Sequence, residues 1–121
     1  MILGTGIDVI EVDRIQKAAA KASFYQGVFT QGEQAFLQAH GNAPCQMAGL
    51  FAAKEAVSKA LGTGFTGFTM TDIEICHDRV GRPWVQLHGP AARLFSDLGG
   101  QQILVSISHD AGCAMAFAVL A

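Results

Sequence analysis

Charge is what this sequence has least of. Aspartate, glutamate, lysine and arginine make up 15% of the 121 residues and leave a formal balance of -2 at pH 7, where an ordinary soluble domain is about 25% charged. Such a surface carries no global field to draw nucleic acid or an anionic membrane, which excludes both as partners except through a local patch. Cysteine is scarce as well. Cys45, Cys76 and Cys113 are odd in number, widely spread and without metal-ligand spacing, which removes a disulfide scaffold and points to reduced thiols in a cytoplasmic protein. No apolar run approaches the ~20 residues of a membrane span, and the N-terminal stretch MILGTGIDVIEVDR has no basic leader or cleavage-type segment. His40, His77, His88 and His109 lack zinc spacing, and neither HExxH nor CxxC occurs. A nucleophile elbow is missing too, and Ser106 and Ser108 alternate with Val105 and Ile107 as outward positions of a strand would.

What is present in excess is apolar surface. Half the residues are hydrophobic and the mean hydropathy is +0.32. A chain of 121 residues fits one domain, residues 1–121, able to bury a core without staples. The apolar excess points to surface buried between subunits of an obligate homo-oligomer, the competing reading being a monomer with a greasy exterior.

Taken in order, Ile2 to Val12 reads as a strand in which Gly4 and Gly6 mark close approach of a neighbour or ligand. Asp8 interrupts it between Ile7 and Val9, either facing solvent or held as a ligand on a rigid support. From Glu11 to Ala22 the period becomes helical, with Val12, Ile15, Ala19 and Ala22 on one side and Arg14, Lys17 and Lys21 as a basic stripe. That stripe is a solvated helix face or a docking strip for an acidic partner. Thr30 and Glu33 form a capping box opening a helix from Gln31 to His40, which makes Glu33 a cap. A long helix follows from Gln46 to Leu61, ended by Gly62 at C′, so Gly62-Thr63-Gly64 follows its helix and is no Walker-type phosphate loop. Thr69–His77 with Trp84–His88 reads as a hairpin, Ala91–Leu98 as a short helix, and Gln102–His109 with Cys113–Leu120 as a second hairpin at the centre of the sheet. The expected fold is α+β: an antiparallel sheet packed against a long central helix and shorter helices.

The chemistry gathers on the long helix, where Lys54, Glu55 and Lys59 stand within a mostly apolar run. Glu55 and Lys59, four residues apart, emerge one turn apart on one face. Alone they would be a surface ion pair worth about 0.3 to 0.5 kcal/mol. With Asp8 they make a different proposition, because Mg²⁺ takes one or two protein carboxylates and completes its shell with water and substrate phosphates. Asp8 and Glu55 would then hold the metal and Lys59 would face the phosphates, a constellation suited to phosphoryl transfer.

Five marks in fixed order carry a resemblance over essentially the whole chain: GIDVIEVDRI from Gly6, FTQGE from Phe29, FAAKEAVSKALGTG from Phe51, GRP from Gly81 and SISH from Ser106. The sequence resembles the bacterial holo-acyl-carrier-protein synthases, the small group of 4′-phosphopantetheinyl transferases. The resemblance implies the fold of that group and Mg²⁺-dependent transfer of the phosphopantetheine arm of coenzyme A to a serine of an apo acyl carrier protein, with release of 3′,5′-ADP. It implies that Asp8 and Glu55 bind the metal and that Lys59 lies near the CoA phosphates. Asp8, Glu55 and Lys59 are thus the implied catalytic set, and Lys54 a further phosphate contact. Gly62, Thr63, Gly64, Pro83 and His109 match positions lining the CoA site, His109 near the adenosine 3′-phosphate. Arg14, with Lys17 and Lys21, gains an acidic carrier as partner, and the family's habit implies a homotrimer with active sites between subunits. Two positions depart from the pattern: Leu50 stands where relatives commonly have arginine, and Asp110 to Ala114 lacks a common aromatic residue. A Mg²⁺-dependent CoA pyrophosphate hydrolase and a non-catalytic CoA-binding module are the rival readings.

Overall fold

Strand β1 (Gly4–Glu11) has two faces with different fates: Gly6 and Ile10 are buried, Gly4 and Asp8 half-buried, while Thr5, Ile7, Val9 and Glu11 alternate outwards. The computed structural model describes all residues, 1–121. After β1 come α1 (Val12–Ala19), α2 (Ala22–Val28), α3 (Gln31–Ala39) and the long α4 (Pro44–Ala60). A 3₁₀ turn at Met70–Asp72 leads into β2 (Ile73–His77) and β3 (Pro83–Leu87), followed by α5 (Gly89–Asp97), β4 (Ile103–Asp110) and β5 (Cys113–Leu120). The α+β class with antiparallel pairing is as expected, but the strands form two sheets: a three-stranded one of order β1-β5-β4 and the separate hairpin β2-β3. Of the C-terminal hairpin only β5 is central; β4 is an edge. No helix is long and apolar enough to cross a membrane.

Helix α4 lies on the inner face of the three-stranded sheet, and small residues let it lie close. Ala52, Ala56 and Ala60 are buried in the same core as Ala114, Ala116 and Ala118 of β5. At Gly4 and Gly6 the approach is backbone to backbone: a Cβ at either would collide with the carbonyl of Ala60 or Ala56. These are the two glycines whose spacing predicts a close neighbour, and the neighbour is α4. Pro44 opens the helix, and Gly62, with φ +89°, closes it while donating its N–H to the Lys59 carbonyl at 2.9 Å.

The helix expected over Glu11–Ala22 ends early, at Ala19, and a second, unexpected one follows it: Lys21 takes an extended conformation (φ -88°, ψ 124°), and α2 begins at Ala22. The break turns Phe24, Tyr25 and Val28 towards the core, where Phe24 stacks on Phe51 with ring centroids 6.0 Å apart. Lys21 therefore does not continue the α1 stripe; Arg14 and Lys17 share one helix and Lys21 stands exposed at the head of the next.

The β4-β5 hairpin turns through Ala111 (φ 52°) and Gly112 (φ 76°), both left-handed. Alanine bears a cost there that asparagine bears less, so Ala111→Asn is expected to raise stability by up to about 1 kcal/mol. Thermal denaturation checks this, and an unchanged or lower melting temperature contradicts it.

Candidate active site

Asp8 and Lys59 meet because β1 and the last turn of α4 are in backbone contact. Lys59 Nζ donates to the Ile7 carbonyl at 2.8 Å and to Asp8 Oδ1 at 3.3 Å. It thus pairs across to the strand rather than one turn back to Glu55. The other carboxylate oxygen, Asp8 Oδ2, is buried and has no hydrogen-bond partner. Such an orphan is costly in a folded protein unless something binds it. Glu55 lies beside it: burial first, and then the Asp8 charge, push its carboxyl above the ordinary glutamate value, while Lys59 and Arg14 pull it down. Asp8, Glu55, Lys59 and Arg14 therefore form one electrostatic cluster.

Two mutually repelling carboxylates, one with an unsatisfied oxygen, are the donor set a hard divalent cation fits. Nowhere does the structure assemble three or more His, Cys, Asp or Glu side chains into a metal cage. A cation bound here would take its remaining ligands from water and substrate, as Mg²⁺ does.

The raised Glu55 carboxyl also sets a pH dependence. The folded state holds its proton more tightly than the unfolded one, so this contribution to stability is present below the unfolded value and is lost as pH rises through the folded one. In chelator-treated protein, wild type is expected to lose melting temperature relative to Glu55→Gln as pH is raised from 4 towards neutrality, and Mg²⁺ is expected to reverse that loss. Parallel curves for the two proteins would contradict this.

Lys54 is not at this site. It is fully buried, with Nζ 2.7 Å from Glu33 Oε1 and donating to the carbonyls of Met70 and Ile73. The expected contact of Lys54 with CoA phosphates is therefore corrected: its side chain is spent inside the protein. Burial pushes the Lys54 ammonium down and the Glu33 carboxyl up, each opposed by its partner's charge. The sequence does carry the signal. Met47, Leu50, Val57 and Leu61 lie on one buried stripe, and Lys54 fills its gap, four residues after Leu50 and three before Val57. Leu50 belongs to the same stripe and packs in the core.

Pro83 and His109 lie elsewhere. They help line a cleft of about 770 Å³ along the free edge of β4, together with His77, Arg82, Trp84 and Phe117. His109 Nε2 donates to the Cys45 carbonyl at 2.8 Å, which assigns the ring hydrogen to Nε2. Gly49 makes room for that ring, since a Cβ there would come within 3.0 Å of Nε2. Arg82 is the one lysine or arginine that lines the cleft; it sits inside the GRP mark but stands out only once the cleft is seen. Gly62, Thr63 and Gly64 follow directly on the Lys59 end of α4 and do not line the cleft. Asp8 and His109 are on opposite edge strands of the three-stranded sheet, strands that lie two strand spacings or ~10 Å apart, and Asp8 is level with Ile107, two residues short of His109, with α4 lying across that face. One chain thus presents two separate groups of residues, the carboxylate cluster and the cleft.

A family model described as the 4′-phosphopantetheinyl transferase superfamily matches residues 4–116, and the chain belongs to that superfamily. Within it the chain falls among the holo-acyl-carrier-protein synthases. It is 45% identical to the holo-[acyl-carrier-protein] synthase of Clostridium acetobutylicum over 99% of this chain and 98% of that one. The Alkaliphilus oremlandii enzyme of the same name is 46% identical, with 98% of each chain covered. Among solved structures, the Neisseria meningitidis holo-[acyl-carrier-protein] synthase superposes with a TM-score of 0.90 at 31% identity, covering 100% of this chain and 99% of that one. The Helicobacter pylori enzyme, solved in complex with coenzyme A, gives 0.85 at 31% identity, with 97% and 99% covered.

Proposed function

We propose that this chain transfers 4′-phosphopantetheine from coenzyme A to a serine hydroxyl of an apo acyl carrier protein and releases 3′,5′-ADP. The observation that carries this reading is the Asp8–Glu55 pair with its orphaned Oδ2, flanked by Lys59. A Mg²⁺ ion held by these two carboxylates would neutralise charge on the CoA pyrophosphate. Lys59 has used two of its three N–H bonds on Ile7 and Asp8, so the third remains for a phosphate oxygen, where charge grows on the departing ADP. Glu55, with its raised proton affinity, is the best-placed acceptor of the serine proton. The Gly62–Gly64 loop admits the CoA chain beside Lys59, and Pro83 and His109 flank its adenosine 3′-phosphate end.

In this reading the carboxylate cluster of one subunit and the cleft of its neighbour in a homotrimer make up one active site. On the outer face of the three-stranded sheet Ile7 is 62%, Val9 57%, Leu104 46% and Phe117 45% exposed. That apolar patch adjoins the cleft through Leu104 and Phe117 and is what a subunit interface would cover. Phe117→Glu is expected to yield monomers with little transfer activity; light scattering that still reports the wild-type mass would refute the arrangement. The same reading makes residues 1–121 a single domain working in the cytoplasm, where its product carrier serves fatty acid biosynthesis.

The exposed cations Arg14, Lys17 and Lys21 dock the acidic carrier, and Arg14, close enough to act on Glu55, brings the carrier serine to the metal site. Lys17→Glu combined with Lys21→Glu is expected to raise the KM for apo carrier by about tenfold at low salt and leave that for CoA unchanged. An unaltered carrier KM would remove the docking assignment. The function itself is tested by one incubation of the chain with CoA, Mg²⁺ and apo carrier, read by mass spectrometry. Transfer adds the arm to the carrier. Consumption of CoA without that adduct would mean a pyrophosphate hydrolase, and binding without either product a non-catalytic module.

A further inference from the structure

On the side of α4 turned away from β1, a single ion pair fastens three elements. Lys54 Nζ spends its three N–H bonds on Glu33 Oε1 and on the carbonyls of Met70 and Ile73. Glu33 Oε1 also accepts the Thr30 N–H at 2.9 Å, and Oε2 accepts the Ile75 N–H at 2.8 Å. The pair therefore joins the first turn of α3, the middle of α4 and strand β2 at both of its buried residues, Ile73 and Ile75. Burying such a pair is a poor way to gain stability, since an apolar pair of similar volume often does as well or better. Its neighbours point to another use. Glu55 is the next residue after Lys54, so about 100° of helix rotation separates the anchor from the carboxylate that faces Asp8. Strand β2 ends in His77 and pairs with β3, so the strand seated by Glu33 and Lys54 supports the cleft wall formed by His77, Pro83 and Trp84.

We propose that Glu33 and Lys54 are positioning residues that lock the rotation of α4 and the seat of β2 together, and so hold the Asp8–Glu55 pair and the cleft wall in working geometry. The proposal rests on reading Asp8 and Glu55 as metal carboxylates. Neither Glu33 nor Lys54 touches substrate. They act further out than a partner hydrogen-bonded to a metal ligand, through the rotation of α4, so the expected loss is at the low end of the roughly 10- to 100-fold that removal of such a partner costs in metal affinity or activity.

A single substitution would leave a buried charge unpaired, so the test uses the double variant Glu33→Leu with Lys54→Met, whose melting temperature should lie within about 5 °C of wild type. Should it fail to fold, Glu33→Gln with Lys54→Met, which keeps an amide oxygen for the Ile75 or Thr30 N–H, takes its place. Mn²⁺ binding in the presence of CoA is followed by electron paramagnetic resonance, and the KM values for CoA and for apo carrier are measured alongside. The expected result is Mn²⁺ affinity weakened at least about tenfold and a raised KM for CoA, with the KM for carrier, which docks on α1, unchanged. A folded variant that binds Mn²⁺ and CoA as wild type does would overturn the proposal and leave the pair as core filler. If wild type itself bound no Mn²⁺ with CoA, the carboxylate assignment would be wrong, and the proposal would fall with it.

Discussion

Glu55→Gln is expected to abolish most of the transfer activity, by about a hundredfold or more, while leaving the protein at least as stable as wild type near neutral pH. Both halves come from the same geometry. Glutamine keeps the volume of the side chain but loses the charge through which it would hold a metal and accept a proton. The charge is also what the folded state resists: burial and the neighbouring Asp8 raise the Glu55 carboxyl above its ordinary value, so the metal-free protein disfavours the carboxylate form relative to the unfolded chain. Removing that carboxylate relieves the repulsion. A residue kept for structure would behave in the opposite way, since its loss would lower stability and activity together. Asp8→Asn should be equally inactive but less favourable to the fold, because Asp8 Oδ1 pairs with Lys59 and a neutral amide weakens that contact. The measurements are single-turnover transfer to apo carrier at several Mg²⁺ concentrations and thermal denaturation in chelator. Wild-type rates in either variant would remove the metal assignment.

How far the sequence went depended on whether the deciding interaction was local. The capping box at Thr30 and Glu33 is written in residues three apart and is formed as read, with Thr30 Oγ1 accepting the Glu33 N–H at 3.1 Å. Gly62 as a helix terminator is equally local, and so is the alternation that gives β4 and β5. Helix α2 is hidden because Gly27 and two aromatic residues, Phe24 and Tyr25, weaken its local helical pattern. Its reason for existing is tertiary: Val28 and Phe29 are buried, and Phe24 stacks on a ring of α4. Lys54 misleads for a related cause. Its place in a motif beside Glu55 suggests shared work, but adjacent residues on a helix point about 100° apart, and only the partner across the core, Glu33, shows where its side chain goes. Even so, Glu33 could be read no further than as a cap, since its second oxygen serves Ile75 on another element. The meeting of Asp8 with Glu55 and Lys59 lies between these extremes. Nothing in their spacing brings a strand at one end of the chain against the middle of it, yet Gly4 and Gly6 announce that something presses on that strand.

That pressure gives the largest expected effect on the fold. Gly6→Val should unfold the chain or cost at least about 4 kcal/mol, a large share of the roughly 5–15 kcal/mol that holds a domain together. Overpacking a core usually costs less, about 1–3 kcal/mol, because a side chain can rotate out of the way. Here the atoms in the path are the carbonyl group of Ala56 and the backbone nitrogen of Ala60, which belong to α4 itself and cannot turn aside without breaking helix hydrogen bonds or moving the helix off the sheet. Gly27→Ala is the control, since an added methyl there meets nothing within 4 Å, and in α2 it should stabilise by about 0.4–1 kcal/mol. The intermediate case, Gly6→Ala, separates fold from function. If that protein still folds, it can do so only by opening the gap between β1 and α4. Asp8 then moves from Glu55, and Lys59 loses the Ile7 carbonyl that steadies it. Its Mg²⁺ requirement should therefore rise by a larger factor than its loss of stability would suggest. Calorimetry together with a Mg²⁺ titration of transfer decides this, and a Gly6→Ala protein that matches wild type in both would mean that the contact of α4 with β1 does not set the site.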